Sequence, residues 1–491
     1  MIWSLLLIPA AAAAASLIIR GSLARRVVLV AAAAGHTAVT LAAWTARPKP
    51  LLNGWLLLDD PGLLFLTITS LLFLACSIYA FGYLAGDPGG KQQDFVEGLL
   101  FTNAPQAIFC ACLLAFLATM TLVTLCQHFG LLWVAMEATT LASAPLIYYH
   151  RHRRSLEATW KYLLICSVGI ALALLGNFFL VVAASNPGTA GKSIVLSVLI
   201  ENGQALDVPW LKAAFLFFLV GYGTKLGLAP LHTWLPDAHS ESPSVVSALL
   251  SGALLNCAFL GILRSYQVCA AAGEADFCRG LFVLFGLVSI GWAAVFMLGQ
   301  ADFKRLLAYS SVEHVGIMAL GVGIGADAVF GSMFHAVNHS LTKAMLFLAA
   351  GNILAVYKTK SVGKVSGVLT VMPATGMLWT AGFLAVTGIP PFGIFLSKFT
   401  IAKAMIDQGK TGLAAAFLAL LALIFAAMSS VVLNMVHGRK SAESGAGAKP
   451  VSLLELLPPA ALGAATLLLG LYIPPAVSRL LHGVAAAFGG R

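Results

Sequence analysis

Apolar stretches of eighteen or more residues follow one another along almost the whole chain, and no other property restricts its fold so much. A run of that length is what an α-helix needs to cross a hydrocarbon core about 30 Å thick. Helices satisfy their backbone hydrogen bonds within one segment, as a medium without water demands. Such windows lie near residues 2–19, 27–46, 61–85, 107–125, 129–149, 158–184, 210–230, 243–263, 280–299, 304–323, 328–356, 367–400, 411–436 and 452–473. They predict an all-α integral membrane protein of about fourteen transmembrane helices. Composition agrees: of 491 residues, 60% are hydrophobic and 10% are Asp, Glu, Lys or Arg, against about a quarter charged in soluble domains. Mean hydropathy is +0.93. The formal net charge of +10 does not call for nucleic acid, because basic residues collect in the cytoplasmic loops of membrane proteins and orient them. The bilayer is the first partner, and a multi-pass place in the plasma or inner membrane is the expected location.

Met1–Arg20 opens on an apolar run, and its basic residues (Arg20, Arg25 and Arg26) follow the run. A cleaved signal peptide has the reverse order, so this segment is read as the first span, with the N-terminus outside. Odd-numbered loops then face the cytoplasm and hold fifteen lysines and arginines, among them Arg151, Arg153, Arg154, Lys304, Lys360, Arg439, Lys440 and Lys449. The outer loops and termini hold ten, including Lys192 and Arg491. Both termini are expected outside. The eight cysteines lie mostly in apolar runs with no CxxC pair, so they read as small buried residues rather than iron–sulfur ligands. No GxGxxG or metal motif is present, and no bound cofactor or metal is expected.

Two spans carry helix breakers. The seventh runs into Gly227-Leu-Ala-Pro230 and Pro236, and the twelfth contains Gly388-Ile-Pro-Pro-Phe-Gly393. Proline lacks a donor and clashes with the preceding turn, so both helices should break. Paired broken helices point to a transport site between inverted repeats. Ionisable and amide residues recur in order: Glu137, Lys161, Lys225 and Asn256, then Glu313, Lys343, Lys398 and Asn434. The expected division is 1–100 (a three-helix segment), 101–267 and 277–436 (two inverted five-helix repeats), and 437–491 (a C-terminal helix and tail).

Glu137 stands in a long uncharged stretch, Lys225 precedes the first break, and Lys398 follows the second. An unpaired charge at mid-membrane costs several kcal/mol, so partners or water are expected. Burial favours the neutral form of either group and an opposite charge favours the ionised form. A glutamate–lysine pair can therefore exchange a proton when its geometry changes; the alternative is a buried salt bridge that only fixes packing. His335, His339 and Lys343 recur every fourth residue and share one helix face. They suit a proton relay, hydrogen-bonded packing, or, less naturally without HExxH or a nearby carboxylate, a metal. Lys161 lies four residues after Glu157 and reads equally as an interfacial ion pair. His232, Asp237, His239 and Glu241 cluster among turn residues, either as a gate for protons or as a solvated polar loop.

The segment Thr224-Lys-Leu-Gly-Leu-Ala-Pro-Leu-His-Thr-Trp-Leu-Pro-Asp-Ala-His239 resembles the signature of the antiporter-like, proton-translocating subunits of the complex I family. Ser310–Gly316, His335–Lys343 and Gly388–Lys398 resemble further family blocks. Glu137-Ala-Thr-Thr-Leu and the Trp160–Ile170 stretch most resemble component F of hydrogenase-4-type membrane hydrogenases. The resemblance implies fourteen helices with two inverted five-helix units. It implies that Glu137 is the fifth-helix glutamate, Lys225 the seventh-helix lysine, Lys398 the twelfth-helix ionisable residue, and His335, His339 and Lys343 the eleventh-helix relay. Many members carry an eighth-helix lysine where this chain reads Leu255-Asn256-Cys257.

The primary expectation is a proton-translocating membrane subunit of a respiratory or hydrogenase complex, itself without redox chemistry. Its partners would be other membrane subunits and peripheral redox subunits of the hydrogenase or quinone-oxidoreductase kind. The alternatives are a subunit of a multisubunit cation/proton antiporter, and a structural anchor with a vestigial path. The orientation is directly testable: a C-terminal alkaline phosphatase fusion is expected to be active while a cytoplasm-only reporter stays dark, and the opposite pattern overturns the topology.

Overall fold

The computed structural model describes residues 1–87, 90–94, 98–185, 193–437 and 451–490. Lys192, Arg439, Lys440, Lys449 and Arg491 of the loop-charge comparison lie outside the described residues. Helices α1 (Ile2–Ile18), α2 (Ser22–Thr45) and α3 (Asp60–Ala85) come first, followed by an antiparallel hairpin of β1 (Lys91–Gln93) and β2 (Leu100–Thr102). Next are α4 (Gln106–Leu125), α5 (Phe129–Ile147), α6 (Arg153–Ala183), the short α7 (Leu196–Glu201), α8 (Val208–Leu226) and α9 (Trp234–Glu241). Then come α10 (Ser244–Leu249) and α11 (Leu255–Ala271), joined without interruption by a π-helical turn at Leu250–Leu254. The second half holds α12 (Ala275–Met297), α13 (Phe303–Ile324), α14 (Asp327–Tyr357), α15 (Val368–Val371), α16 (Pro373–Thr387), α17 (Gly393–Asp407), α18 (Thr411–His437), α19 (Leu453–Leu471) and α20 (Pro475–Ala487).

Among the described residues, eleven helices are long and apolar enough to cross a membrane. The remaining expected spans fall on α1, which is 17 residues long, and on the two interrupted segments α8–α9 and α15–α17. Acidic side chains set several helix starts by accepting from exposed first-turn N–H groups. Asp59 accepts from Gly62 N at 2.9 Å, Asp207 from Trp210 N at 3.3 Å, and Asp302 from Lys304 N at 2.8 Å.

The expected breaks occur, with one correction. α8 stops at Leu226 because Gly227 turns left-handed (φ 85°), and α16 stops at Thr387 where Gly388 does the same (φ 85°). Only glycine enters that region without steric cost. Pro236 does not break a helix. It lies in the first turn of α9, where its missing N–H has no intrahelical partner to lose. The amphipathic α20, packed on α3 and α14, was not foreseen.

Burial separates core from periphery. The apolar stretch of Ser244–Ala271 is wholly buried and that of Phe303–Ile324 is 94% buried, whereas those of Thr411–His437 and Leu453–Leu471 are 33% and 28% buried. The first two are therefore the axis of the bundle, and the last two lie at its periphery. At one end of the axis Arg264, buried on α11, grips Asp59 with both terminal nitrogens at 2.8 and 3.0 Å and reaches Gln127 at 3.2 Å. Burial opposes ionisation of Asp59, but Arg264 outweighs it and holds the carboxyl below its ordinary value. This ties the N-terminal helices to the axis.

Hydrocarbon gives helices no hydrophobic reason to associate, so close backbone approach through small residues does that work. α6 and α8 meet at Gly169 and Gly221: a Cβ on Gly221 would stand 2.6 Å from the Gly169 carbonyl oxygen and 2.7 Å from Ala173 N. Gly286 and Gly316 make the corresponding contact between α12 and α13, with 2.8 Å in each direction. Gly221→Val is expected to lower stability by about 3 kcal/mol, because backbone cannot give way. Gly35→Val, where nothing lies within 4 Å, is the control. Thermal unfolding in detergent reads both, and equal melting temperatures would refute the close-packing role.

Candidate functional site

Lys225 lies in the last turn of α8, immediately before the break, and is fully buried. Its ammonium donates to the Met136 carbonyl at 2.6 Å and to Thr140 Oγ1 at 2.5 Å. Thr140 in turn donates to Glu137 Oε2 at 3.3 Å, and Ser167 donates to Glu137 Oε1 at 3.0 Å. Glu137, expected to pair with Lys225, is thus linked to it through one hydroxyl instead of a direct ion pair. The reason is spacing on α5: Thr140, one turn after Glu137, occupies the position facing α8.

The second centre is direct. Lys398 on α17 donates to Glu313 Oε1 of α13 at 2.9 Å, with the two side chains 8% and 1% exposed. Its ammonium also reaches the Thr387 and Val386 carbonyls at 3.3 and 3.4 Å. Those carbonyls end α16 and have no intrahelical partner, so the lysine satisfies groups that the break releases. The first break is served differently, by Trp234 Nε1 donating to the Thr224 carbonyl at 2.8 Å and Ser289 Oγ accepting from Ala229 N at 2.9 Å.

From Glu313 a histidine cluster runs inward. His314 Nε2 is 4.0 Å from Glu313 Oε2. His314 Nδ1 and His335 Nε2 share a 2.8 Å hydrogen bond, and His335 Nδ1 meets Ser397 Oγ at 2.8 Å. The His339 ring centroid lies 4.8 Å from that of His314 and 6.5 Å from that of His335. Lys343, one turn beyond His339, is fully buried and, among the described residues, donates only to the Leu307 carbonyl, at 2.6 Å. Asn256 on α11 donates to Ser340 Oγ of α14 at 2.8 Å, beside His339 in sequence, and to the Gly252 carbonyl at 2.9 Å. Asn256 thus touches α14 at Ser340, one position after His339.

The other sequence-derived residues separate. Lys161, with its side chain 45% exposed, is held by Glu157 at 2.7 Å and Asp237 at 2.9 Å, the geometry of an interfacial ion pair. Asp237 also binds Arg305. His232 packs edge-on against Trp292 and Tyr309, and His239 stacks on Phe347 at 4.8 Å. Glu241 pairs with Lys360 at 2.7 Å and lies 3.8 Å from His152. His232, His239 and Glu241 are 2%, 0% and 9% exposed, so this is no solvated loop, and its four members each make a different contact. Burial works against the charge on Glu241, yet Lys360 outweighs it and holds the carboxyl below its ordinary range. Burial pushes the His152 imidazole down although Glu241 resists, and pushes His150 down to about 3.

His314, Thr140 and Ser397 were missed from the sequence. His314 had a signal, since it adjoins a glutamate inside an apolar helix; the hydroxyls had none. Among the described residues no group of three His, Cys, Asp or Glu is arranged to hold a metal, and all eight cysteines are free thiols.

Comparison with known proteins bears on this arrangement. The profile of the family described as NADH:quinone oxidoreductase/Mrp antiporter, transmembrane, matches residues 126–440, the stretch that contains every buried ionisable residue above. The chain is 34% identical over 427 residues to the hydrogenase-4 component F homolog of Methylacidiphilum infernorum, covering 87% of each chain. Its fold matches a chain of the membrane-bound sulfane sulfur reductase, an archaeal respiratory membrane complex, with a TM-score of 0.86 at 20% identity over 99% of this chain and 97% of that one. A chain of the Mrp complex from Dietzia sp. DQ12-45-1b gives a TM-score of 0.83 at 21% identity, covering 99% and 96%. With its multi-pass helical fold and its buried lysine–glutamate centres, the chain belongs to the NADH:quinone oxidoreductase/Mrp antiporter transmembrane family.

Proposed function

We propose that this chain is a proton-translocating membrane subunit of a respiratory or hydrogenase complex related to complex I, coupled to redox chemistry on partner subunits. The observation that carries the reading is the buried line Lys398–Glu313–His314–His335, continued by His339 and Lys343 on α14. A salt bridge that only fixes packing gains nothing from three histidines beside it, whereas a proton relay can use each of them as a carrier. Fourteen spans, with 101–267 and 277–436 as inverted units, complete the proposed architecture. Glu137 and Lys225 serve the first unit, and Glu313, Lys343 and Lys398 serve the second.

The chemistry follows from distance. Unit charges attract by about 4 kcal/mol at 4 Å in surroundings of effective dielectric near 20, and by half that at twice the separation. Since 1.36 kcal/mol corresponds to one unit of pKa, moving a glutamate a few ångströms changes a lysine's proton affinity by about one to two units. Glu137, held by hydroxyls alone, is free to make such a move; Glu313, gripped by Lys398, marks the closed form of the same device. A lysine that loses its carboxylate passes its proton to a neighbouring imidazole or water, directly or through a hydroxyl that releases its own proton as it takes the lysine's.

Lys225→Ala is expected to leave assembly intact and to reduce proton movement at least about tenfold, read from the internal pH of proteoliposomes holding the purified complex. Acidification equal to wild type removes Lys225 from the path, and acidification that requires sodium favours the cation antiporter. A second expectation separates the two pairs. Glu313→Gln leaves Lys398 without its carboxylate and should lower stability by about 3 kcal/mol, whereas Glu137→Gln, with no direct ion pair to lose, should melt like wild type. Both should slow proton movement, and matching melting temperatures for the two variants would contradict the structural difference.

A further inference from the structure

Lys304 begins α13 and is 1% exposed, yet no carboxylate lies within ion-pair distance of its ammonium among the described residues. It donates instead to the Ser242 carbonyl at 2.6 Å and the Ser240 carbonyl at 3.3 Å. These belong to the C-terminal end of α9, where carbonyls lack helical partners and carry partial negative charge. Lys360 donates to the same Ser240 carbonyl at 3.1 Å and holds Glu241 at 2.7 Å. Two ammonium groups thus share one oxygen, with the ion pair on the outer one, whose side chain is 14% exposed. His239 adjoins Ser240, is fully buried, and has neither ring nitrogen hydrogen-bonded among the described residues.

The surroundings are specific in charge. Asp302 caps α13 and accepts from Ser240 Oγ at 2.7 Å, and His152 approaches Glu241 from the loop before α6. His239, on α9 just before Ser240, stacks on Phe347, which lies one turn beyond Lys343 on α14. Lys304 therefore stands between a partly open acidic mouth and the buried α14 axis.

We infer that Lys304 is a proton-holding site at the mouth of the path, loaded from the Glu241–Lys360–His152 cluster and discharging through His239 toward Lys343. This rests on the proton-translocating reading above. In the discharge step one Nζ–H bond breaks and one ring N–H bond forms. Lys304 becomes a neutral amine that still donates to the α9 carbonyls, and His239 becomes an imidazolium that passes its proton on. Carbonyl oxygens hold the ammonium without neutralising it, so Lys304 can lose its proton without stranding a buried carboxylate charge.

The alternative is a clip fastening α13 to α9, and arginine separates the two. Lys304→Arg can still donate to both carbonyls but cannot release a proton at accessible pH. The whole complex, reconstituted with pyranine inside, is driven by a potassium diffusion potential with valinomycin, so that no electron donor is needed. Lys304→Arg and Lys304→Met are expected to cut proton flux by about tenfold or more, with Arg assembling as wild type. Wild-type flux in Lys304→Arg overturns the proposal. If Lys225→Ala also carries wild-type flux, the translocation reading falls with it; if Lys225→Ala alone is slow, only the site at Lys304 falls. Should neither Lys304 variant assemble, Lys360→Gln decides. Removing the neighbouring positive charge favours the protonated form of Lys304, so the pH of half-maximal flux should rise by about one unit. An unmoved midpoint refutes the site.

Discussion

A bilayer offers no hydrogen bond to a peptide group, so a helix opened at membrane depth must find every lost partner inside the protein. This chain opens two helices, at Gly227 and Gly388, and much of its buried chemistry follows from closing those accounts. At the second break Lys398 is drawn to the last carbonyls of α16, where partial negative charge stabilises a cation. Its remaining charge calls for Glu313. At the first break an indole and a serine satisfy the backbone, which leaves Lys225 in the last turn of α8 free to reach across to α5. At the end of α9 the same rule recruits Lys304. Helix ends and buried basic residues are thus one feature seen from two sides.

Around these breaks the axis must be tight enough to exclude lipid and polar enough to hold protons. Tightness comes from glycine contacts such as Gly169 with Gly221, and from the wholly buried α10–α11 segment. Polarity comes from hydroxyls set among the polar groups: Thr140 between Lys225 and Glu137, Ser397 on His335, and Ser340 under Asn256. A hydroxyl donates and accepts at once, so Thr140 joins two ionisable groups without adding a charge that would need its own partner. The π-turn at Leu250–Leu254 sits where α11 passes this cluster, with Ser251 on Ser311 at 2.8 Å. Turns of that kind are frequent at functional sites.

Some of these features are properties of single residues and short windows, and others exist only once helices pack. Helix positions were legible to within a few residues, because transfer into hydrocarbon is a property of each residue that adds along a window. The breaks at Gly227 and Gly388 were legible too, since backbone freedom and proline geometry are local. Pro236 misled because the cost of proline depends on its place in a turn. Glu137, Lys225 and Lys398 stood out because an ionisable group in an apolar run is expensive wherever it points. The pairings did not: Lys225 with Thr140 rather than Glu137, His314 with His335, and Lys304 with two carbonyls join groups far apart in the chain. Such contacts act over about 3 Å, so only the packing of one helix against another could choose them.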